Sequence, residues 1–249
     1  MTNYIFYSIY SMIQGVTEFI PVSSSGHLNI LEIIVNNEYS RNLLYETTAH
    51  IASLLALLLY LLKNGHFSIA NIQTNFIPII LATIPAAIVG LALIILQFDF
   101  VNIRMIGITS IAGAVLLYFS DKTFFHKIKI ENLKIKFFIA GLFQCLAYLP
   151  GFSRSGSCII AFRLLGETRK SSSIKSLYLG IPIIFLSFIS NLRNLESISL
   201  NYNLLIIFFI TFFTAYLTLI FFINFINRIG FRPFVVYRII LGLLILILF

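Results

Sequence analysis

The chain has 249 residues, of which 59% are hydrophobic and only 10% are charged. Because soluble globular domains carry about 25% charged residues, this composition excludes a soluble domain and predicts a polytopic membrane protein. The net charge of +8 would suggest a nucleic-acid partner in a soluble protein. A chain with so little polar surface has no room for the basic face that nucleic-acid binding needs, so we predict no nucleic-acid binding.

The first helical region is interrupted by polar residues. Residues 4–13 are apolar, then Gln14, Glu18 and the polar run PVSSSGH intervene, and residues 28–35 are again mostly apolar. As a helix, this second piece would rise only ~12 Å, less than half of a ~30 Å bilayer core. Irregular backbone within a membrane is tolerated only inside protein or a water-filled cavity. The pattern therefore predicts a re-entrant hairpin, which enters and leaves the membrane on one side.

Three longer apolar segments follow, and then the interrupted pattern returns. Residues 137–149 are apolar, the run PGFSRSG intervenes, and a short segment at 157–165 completes a second re-entrant hairpin. A spanning helix needs ~20 mostly apolar residues, and the segments that qualify are residues 46–62, 76–98, 101–119, 174–190, 204–226 and 234–249. None of them alternates as barrel strands do. The predicted fold class is an all-α polytopic membrane protein with six transmembrane helices and two re-entrant helical hairpins.

The two interrupted regions resemble each other. QGVTEFIPVSSSGH is matched by QCLAYLPGFSRSGS, so that Ser153 stands 130 residues after Ser23. Each region precedes three spanning segments, an odd number, so the second copy would be inserted upside down. We predict a single membrane domain over residues 1–249, built as an inverted-topology repeat of about residues 1–121 and 134–249 joined by a loop at 122–133. Two unrelated polar breaks are the alternative.

The basic residues predict the orientation of the chain. All eight lysines fall on one side of the predicted topology: Lys63, Lys122, Lys127, Lys129, Lys134, Lys136, Lys170 and Lys175. The positive-inside rule makes that side cytoplasmic. Both termini then face outside, the first hairpin enters from outside, the second enters from the cytoplasm, and their tips meet within the membrane. Arg104 and Arg238 occupy similar places in the two halves, where we predict that they snorkel to a membrane edge.

Two charged residues fall in the interrupted regions, Glu18 and Arg154. A charge at membrane depth costs about 2.5–3.5 kcal/mol on insertion scales, so such residues are usually functional or paired. A Gly/Ser loop that opens a short helix offers amide and hydroxyl groups to an anion, and a guanidinium fits phosphate oxygens. The sequence therefore predicts a phosphate site made by Arg154 with its neighbours Ser153, Ser155, Gly156 and Ser157. A structural Glu18–Arg154 ion pair is the alternative.

The first loop offers complementary groups. Gln14 and Glu18 are spaced i, i+4 and share a helix face, and Glu18 is the only carboxylate there, suited to bind a divalent cation or to act as a base. A serine near a histidine is the minimal pair for an activated nucleophile, and this loop has His27 close to Ser23, Ser24 and Ser25. With the arginine loop, these residues predict a site for phosphoryl transfer. Glu46 and His50 share a face of the next helix, where they either line the cavity or pack as polar residues.

QGVTEFIPVSSSGH and PGFSRSG resemble the two signatures of the undecaprenyl-diphosphatase (bacitracin-resistance) family, and RPFVVYR at residues 232–238 extends the likeness. The resemblance implies a phosphatase of the bacterial inner membrane. It would cleave undecaprenyl diphosphate to undecaprenyl phosphate and inorganic phosphate on the outer face, with a divalent cation such as Mg²⁺ or Ca²⁺. That reaction recycles the lipid carrier for cell-wall synthesis and confers bacitracin resistance. The family's essential residues match Glu18, Ser24, His27 and Arg154.

The sequence leaves several points open. Gln14 stands where the family often has an acidic residue, which removes one carboxylate from the cation site that Glu18 would form. The sequence does not choose between Ser24, His27 and water as the nucleophile, nor between a monomer and a homodimer. A lipid-phosphate transporter or flippase that uses the same site is the alternative function. A phosphatidic-acid-phosphatase type is excluded, because its Ser-Arg-x₅-His element would need histidine where Ile160 stands.

Overall fold

The structure is a computed structural model, and it describes residues 3–35, 43–66, 69–97, 102–122, 130–193 and 202–249. All regular elements in those ranges are helical, which confirms the all-α prediction. Ten α-helices are present there, with a short 3₁₀ turn at Cys145–Tyr148: α1 Asn3–Thr17, α2 Ser24–Ile34, α3 Leu43–Lys63, α4 Ile69–Ile95, α5 Ile103–Ser120, α6 Leu133–Gln144, α7 Arg154–Leu164, α8 Arg169–Arg193, α9 Tyr202–Ile229 and α10 Arg232–Leu248.

Five helices of the described ranges are long and apolar enough to cross a membrane: Leu43–Lys63, Asn71–Ile95, Ile103–Ser120, Arg169–Asn191 and Tyr202–Ile229. The protein is therefore a multi-pass membrane protein. The sixth predicted crossing, residues 234–249, coincides with α10, which has 17 residues, and this crossing stays a prediction. Phe98, Val101 and residues 123–129 of the predicted inter-repeat loop lie outside the described residues.

Two helices are much shorter than a membrane is thick. α2 and α7 have 11 residues each, so each rises only ~16 Å. α2 follows α1 after a turn, and α7 follows α6 after the 3₁₀ turn and a second turn. These are the two helix–turn–helix units that the interrupted apolar runs predict, and they are named hairpin 1 (α1–α2) and hairpin 2 (α6–α7) below.

The long helices hold the hairpins by close contact. α1 of hairpin 1 packs on α9, and α6 of hairpin 2 packs on α4. A Cβ built on Gly15 would collide with Thr214 of α9, and one built on Gly141 would collide with the Ala82 backbone of α4. Small residues at helix contacts let backbones approach closely, as is typical inside membranes. The two glycines therefore allow α1 to pack closely on α9 and α6 to pack closely on α4.

The basic helix ends gather at one end of the bundle. Arg163 and Arg169 both pair with Asp121, at 3.0 and 2.8 Å. Lys136 and Lys175 pair with Glu167 at 2.6 and 2.7 Å. These pairs join the carboxyl ends of α5 and α7 to the amino ends of α6 and α8. The bundle therefore has one end where cations and carboxylates are concentrated, which is named the basic end below.

Glu167 is the anionic centre of this end. Burial alone would raise the pKa of Glu167, but hydrogen bonds from Lys136, Lys175 and Ser171 outweigh it and lower that pKa to about 2. At the opposite end, Arg104 Nε donates to the carbonyl of Phe249 at 3.0 Å. The arginine thus ties the start of α5 to the end of α10.

Arg238 is not at a membrane edge. It lies near the middle of α10 with no exposed surface, and it is the largest fully buried side chain in the described residues. The sequence-based prediction that Arg238 snorkels is wrong, because its guanidinium lies between the two hairpin turns, where backbone carbonyls accept its hydrogen bonds.

Candidate active site

The turns of the two hairpins interlock in the middle of the bundle. Ser155, in the first turn of α7, donates from Oγ to the carbonyl of Ile20 in hairpin 1 at 2.9 Å. In the reciprocal contact, a Cβ built on Gly26, in the first turn of α2, would lie 3.3 Å from Cα of Gly151 in hairpin 2. Each turn therefore packs against the first turn of the other hairpin's short helix, and both helices begin in one small volume.

Both short helices begin with the same serine cap. Ser23 has φ 76° and Ser153 has φ 78°, a left-handed conformation that non-glycine residues rarely adopt and that clusters at functional sites. The Ser23 side chain accepts from the Gly26 amide, and the Ser153 side chain accepts from the Gly156 amide. The first N–H groups of a helix have no intrahelical partner. Each serine cap binds the N–H group of the third residue of its helix. The N–H groups of the first two residues of α2 and of α7 are therefore available to bind an anion.

Glu18 is the hub of the polar contacts here. Its carboxylate is buried, with a side chain 7% exposed. Oε1 accepts from Arg154 Nη2 at 2.8 Å, while Oε2 accepts from Ser24 Oγ at 2.8 Å and from Gln14 Nε2 at 3.0 Å. The structure therefore brings together four of the predicted site residues, from both hairpins, around a single carboxylate.

Arg154 has a hydrogen-bond donor that the described residues leave unused. Nη2 is engaged by Glu18, but Nη1 is buried and has no hydrogen-bond partner among the described residues. A Cβ built on Gly180 of α8 would collide with Nη1, so the glycine makes room for the guanidinium. A buried donor without a partner costs about 1–3 kcal/mol, and it points to a ligand that supplies an acceptor.

The serine–histidine pair that the sequence suggests is not formed among the described residues. His27 Nδ1 lies 2.6 Å from the carbonyl of Ser23, and Nε2 lies 2.6 Å from the hydroxyl of Tyr237. Because a carbonyl accepts only, Nδ1 carries a proton, and when the ring is neutral the Tyr237 hydroxyl donates to Nε2. The tyrosine ring also stacks on the imidazole, with centroids 5.6 Å apart. The group that accepts the Ser24 hydroxyl is Glu18.

The other predicted phosphate ligands lie at the two helix starts. Ser25 is exposed and its Oγ is 3.3 Å from Ser23 Oγ, and Ser155 Oγ is 3.2 Å from Ser153 Oγ. Ser157 is fully buried and donates to the carbonyl of Ser153. Ser157 therefore supports the cap and does not face the site.

His50 extends the network away from Glu18. Its Nδ1 lies 3.4 Å from Gln14 Nε2, and its Nε2 lies 3.6 Å from Glu46 Oε1. The sequence left two interpretations of Glu46 and His50, lining the site or packing as polar residues. The structure favours the first, because both side chains border the site. Tyr237 and Arg238 are the site residues that sequence reasoning missed, although they end the motif RPFVVYR.

A divalent cation would find part of a ligand set here. The described residues contain no cluster of three His, Cys, Asp or Glu side chains. The oxygen ligands here are those of the Glu18 carboxylate and of the Ser24 hydroxyl, whereas Gln14 presents its amide nitrogen to Glu18. Hard oxygen ligands suit Mg²⁺ and Ca²⁺, and Mg²⁺ is commonly held by one or two carboxylates together with substrate phosphates. The residues present fit a cation that the substrate helps to bind.

Comparison with known proteins identifies the family. The model for "Bacitracin resistance protein BacA" matches residues 7–244. The chain belongs to this family. Similar curated proteins named undecaprenyl-diphosphatase come from Pelagibacter ubique (36% identical, covering 99% of this chain and 98% of the relative), Alteromonas mediterranea (35%, 96% and 96%) and Saccharophagus degradans (35%, 93% and 93%). The family assigned from the two motifs is confirmed.

Proposed function

We propose that this protein is an integral membrane phosphatase that hydrolyses undecaprenyl diphosphate to undecaprenyl phosphate and inorganic phosphate. The observation that carries the proposal is the buried Glu18 carboxylate, which accepts both the Arg154 guanidinium and the Ser24 hydroxyl where two helices begin. That arrangement places a base, a hydroxyl nucleophile and phosphate-binding groups together. Relatives in the same family carry the name of this activity.

The substrate's phosphates bind at the paired helix starts. The free amides of α2 and α7 and the positive ends of both helices favour an anion. Arg154 adds a guanidinium whose Nη1 has no partner among the described residues. Phosphoryl transfer needs little covalent chemistry from a protein, so that positioning and charge stabilisation provide most of the catalysis. These groups supply both.

The structure favours Ser24 among the three nucleophiles that the sequence leaves open. Ser24 Oγ attacks the terminal phosphorus while its proton passes to Glu18 Oε2, 2.8 Å away. The bond from that phosphorus to the bridging oxygen breaks, and undecaprenyl phosphate leaves with the bond's electron pair. Water then attacks the phosphoserine, releases inorganic phosphate and restores the Ser24 hydroxyl. His27 is oriented by Tyr237 and Ser23 and serves as a second proton carrier.

We further propose a bound divalent cation, Mg²⁺ or Ca²⁺, held by Glu18 together with the substrate. Bound there, it would neutralise charge on the diphosphate. Gln14 is neutral, so Glu18 is the one carboxylate of this ligand set. Removal of divalent cations by a chelator is expected to abolish phosphate release.

An apolar groove beside the site can hold the prenyl chain. A groove between α9 and the hairpin 1 turn, named the α9 groove, is lined by Ile20, Thr218, Phe221, Phe225 and Phe234, among others. Ile20 lines the groove and its carbonyl accepts from Ser155, so the groove reaches the phosphate-binding turns. We place the first isoprene units in this groove.

We place the protein in the bacterial inner membrane with six crossings and two re-entrant hairpins, as an inverted repeat. Support comes from the shared serine caps at Ser23 and Ser153 and from the gathering of basic residues at one end. The positive-inside rule makes that end cytoplasmic. α10 begins near it, because Gly230 lies beside Arg169, and ends beside Arg104 at the opposite end. Both termini would face outside and the site would open outward, where the product recycles as the cell-wall lipid carrier.

The test is phosphate release from undecaprenyl diphosphate by the purified protein in detergent micelles, with and without a chelator. A flippase that only moves the lipid would release no phosphate, so this assay separates the two functions. Glu18→Gln, Ser24→Ala and Arg154→Ala should each lower the rate by ~10²-fold or more, as for lost transition-state groups. Glu131→Gln, an exposed residue outside the site, is the matched control and should keep the wild-type rate. Wild-type rates in the three site variants would refute the site.

A further inference from the structure

Arg238 is a buried cation that the proposed chemistry has not used. The guanidinium lies between the two hairpin turns, and the side chain has no exposed surface. Space for it is provided by Gly113 of α5, where a Cβ would collide with Nη2. A Cβ built on Gly156 would lie 3.3 Å from Nη1, so the guanidinium touches the first turn of α7.

The guanidinium binds the backbone of both hairpins. Nη1 donates to the carbonyl of Pro21 at 3.3 Å, two residues before the cap of α2. Nη2 donates to the carbonyls of Gly151 and Phe152 at 3.1 and 2.9 Å, immediately before the cap of α7. One side chain of α10 thus holds the two turns together.

No carboxylate pairs with Arg238 in the part of the chain that the structure describes, and Nε has no partner there. Arg163, also deeply buried, differs in this respect because Asp121 neutralises it. A buried charge without a counter-ion is strongly unfavourable, and neutral carbonyls offset only part of the cost. The pattern indicates that an anion arrives from outside the protein.

We propose that Arg238 is a positioning residue whose counter-ion is the substrate's diphosphate, and that it both sets the two turns and provides long-range positive charge to the site. The proposal rests on the proposed function for the identity of the anion. At a distance of about 8 Å and an effective dielectric constant near 20, one unit charge changes the affinity for a single negative charge about 30-fold.

The experiment compares three variants of the purified full chain in detergent. Arg238→Met removes the charge, Arg238→Lys keeps the charge but loses the planar fork, and Gly113→Ala keeps the arginine but displaces its guanidinium. Gly90→Ala is the matched control, because its Cβ collides with the Tyr148 hydroxyl and not with a site residue. The readouts are kcat and KM for phosphate release, and the rise in melting temperature produced by inorganic diphosphate.

The variants should distinguish the effect of the positive charge of Arg238 from the effect of the position of its guanidinium. Arg238→Met should weaken inorganic diphosphate binding about 30-fold and lose its thermal stabilisation. Arg238→Lys and Gly113→Ala should retain binding within about threefold while kcat falls between ~10- and ~100-fold, since the turns shift by a fraction of an ångström to 1 Å. A merely structural role would lower the melting temperature of all three and leave kcat and KM of the folded fraction unchanged.

Each outcome decides one of the two proposals. If wild-type protein is not stabilised by inorganic diphosphate, or Arg238→Met binds it like wild type, the inference about Arg238 is overturned. If Arg238→Met does not fold, wild-type kcat in both Arg238→Lys and Gly113→Ala overturns it instead. If the wild type binds inorganic diphosphate with the expected variant pattern but releases no phosphate from the lipid, the phosphatase proposal fails and the role of Arg238 in anion binding stands.

Discussion

Replacing Gly180 by alanine tests the position of Arg154 without changing any polar residue. A Cβ at position 180 would collide with Arg154 Nη1 and would lie 3.0 Å from Cζ. Ordinary carbon contacts are about 3.5–4.0 Å, so the guanidinium must move by roughly 1 Å. The 2.8 Å contact between Arg154 Nη2 and Glu18 Oε1 would then be lost, or Glu18 would be dragged away from Ser24.

The expected loss follows from that displacement. A misplacement of ~1 Å costs ~10²-fold in rate, and a lost transition-state donor costs ~10²–10³-fold. We therefore expect kcat/KM to fall about 100-fold, equivalent to ~2.7 kcal/mol of transition-state stabilisation. The melting temperature should change little, because the far end of a flexible side chain moves and no backbone does.

The assay is initial-rate phosphate release from undecaprenyl diphosphate, with Gly90→Ala as control. Both variants add a methyl group to a membrane helix against a polar side-chain tip, but Gly90 meets Tyr148, which donates to the Ala86 carbonyl away from Glu18. If Gly180→Ala kept the wild-type rate, Arg154 would not act from this position. Equal losses in the two variants would indicate a general effect of replacing helix glycines.

Three further changes test other parts of the molecule. Glu167→Gln should lower the free energy of unfolding by about 1–2 kcal/mol at pH 7, because solvent screens part of the interaction; since the folded pKa of about 2 lies below the usual 4.5, the difference should shrink as pH falls from 4.5 towards 2, and a pH-independent difference would contradict this. Thr218→Phe fills the α9 groove and should raise KM for undecaprenyl diphosphate ~10-fold without affecting the binding of inorganic diphosphate, which has no prenyl chain; equal effects on both would argue against the groove. Tyr237→Phe removes the hydroxyl that orients His27 and should lower kcat about fivefold, from ~1 kcal/mol for one hydrogen bond, with KM unchanged; an unaltered kcat would show that this hydroxyl does not position His27 for the reaction.

The helical architecture could be predicted because it depends on apolar length. Long apolar runs and two short interrupted ones are visible directly in the sequence, and the structure has helices at each of them. Glu18 and Arg154 could be predicted as a pair because charge within such runs is costly. Their direct contact at 2.8 Å follows from the meeting of the two turns.

The role of Arg238 and the hydrogen-bond partners of Ser24 and His27 left no comparable signal. Arg238 binds backbone carbonyls, which every residue has, so no partner residue type marks it in the sequence. Ser24 and His27 are close in sequence, yet the left-handed cap at Ser23 sends the Ser24 hydroxyl towards Glu18 and lets His27 fold back onto the Ser23 carbonyl. The local backbone geometry determines which groups Ser24 and His27 bind, and the spacing of these residues in the sequence does not predict it.

The interlock of the two hairpins also has a consequence for biosynthesis. Ser155 reaches Ile20 across 135 residues of sequence, and Arg238 reaches Pro21 across 217. Because a chain is made from its amino end, hairpin 1 is synthesised before hairpin 2 and α10. Its turn therefore lacks the contacts with Ser155 and Arg238 until those elements have been inserted. Nascent chains arrested before α10 should therefore be inserted but inactive. Activity should begin abruptly once Arg238 has left the ribosome and entered the bilayer.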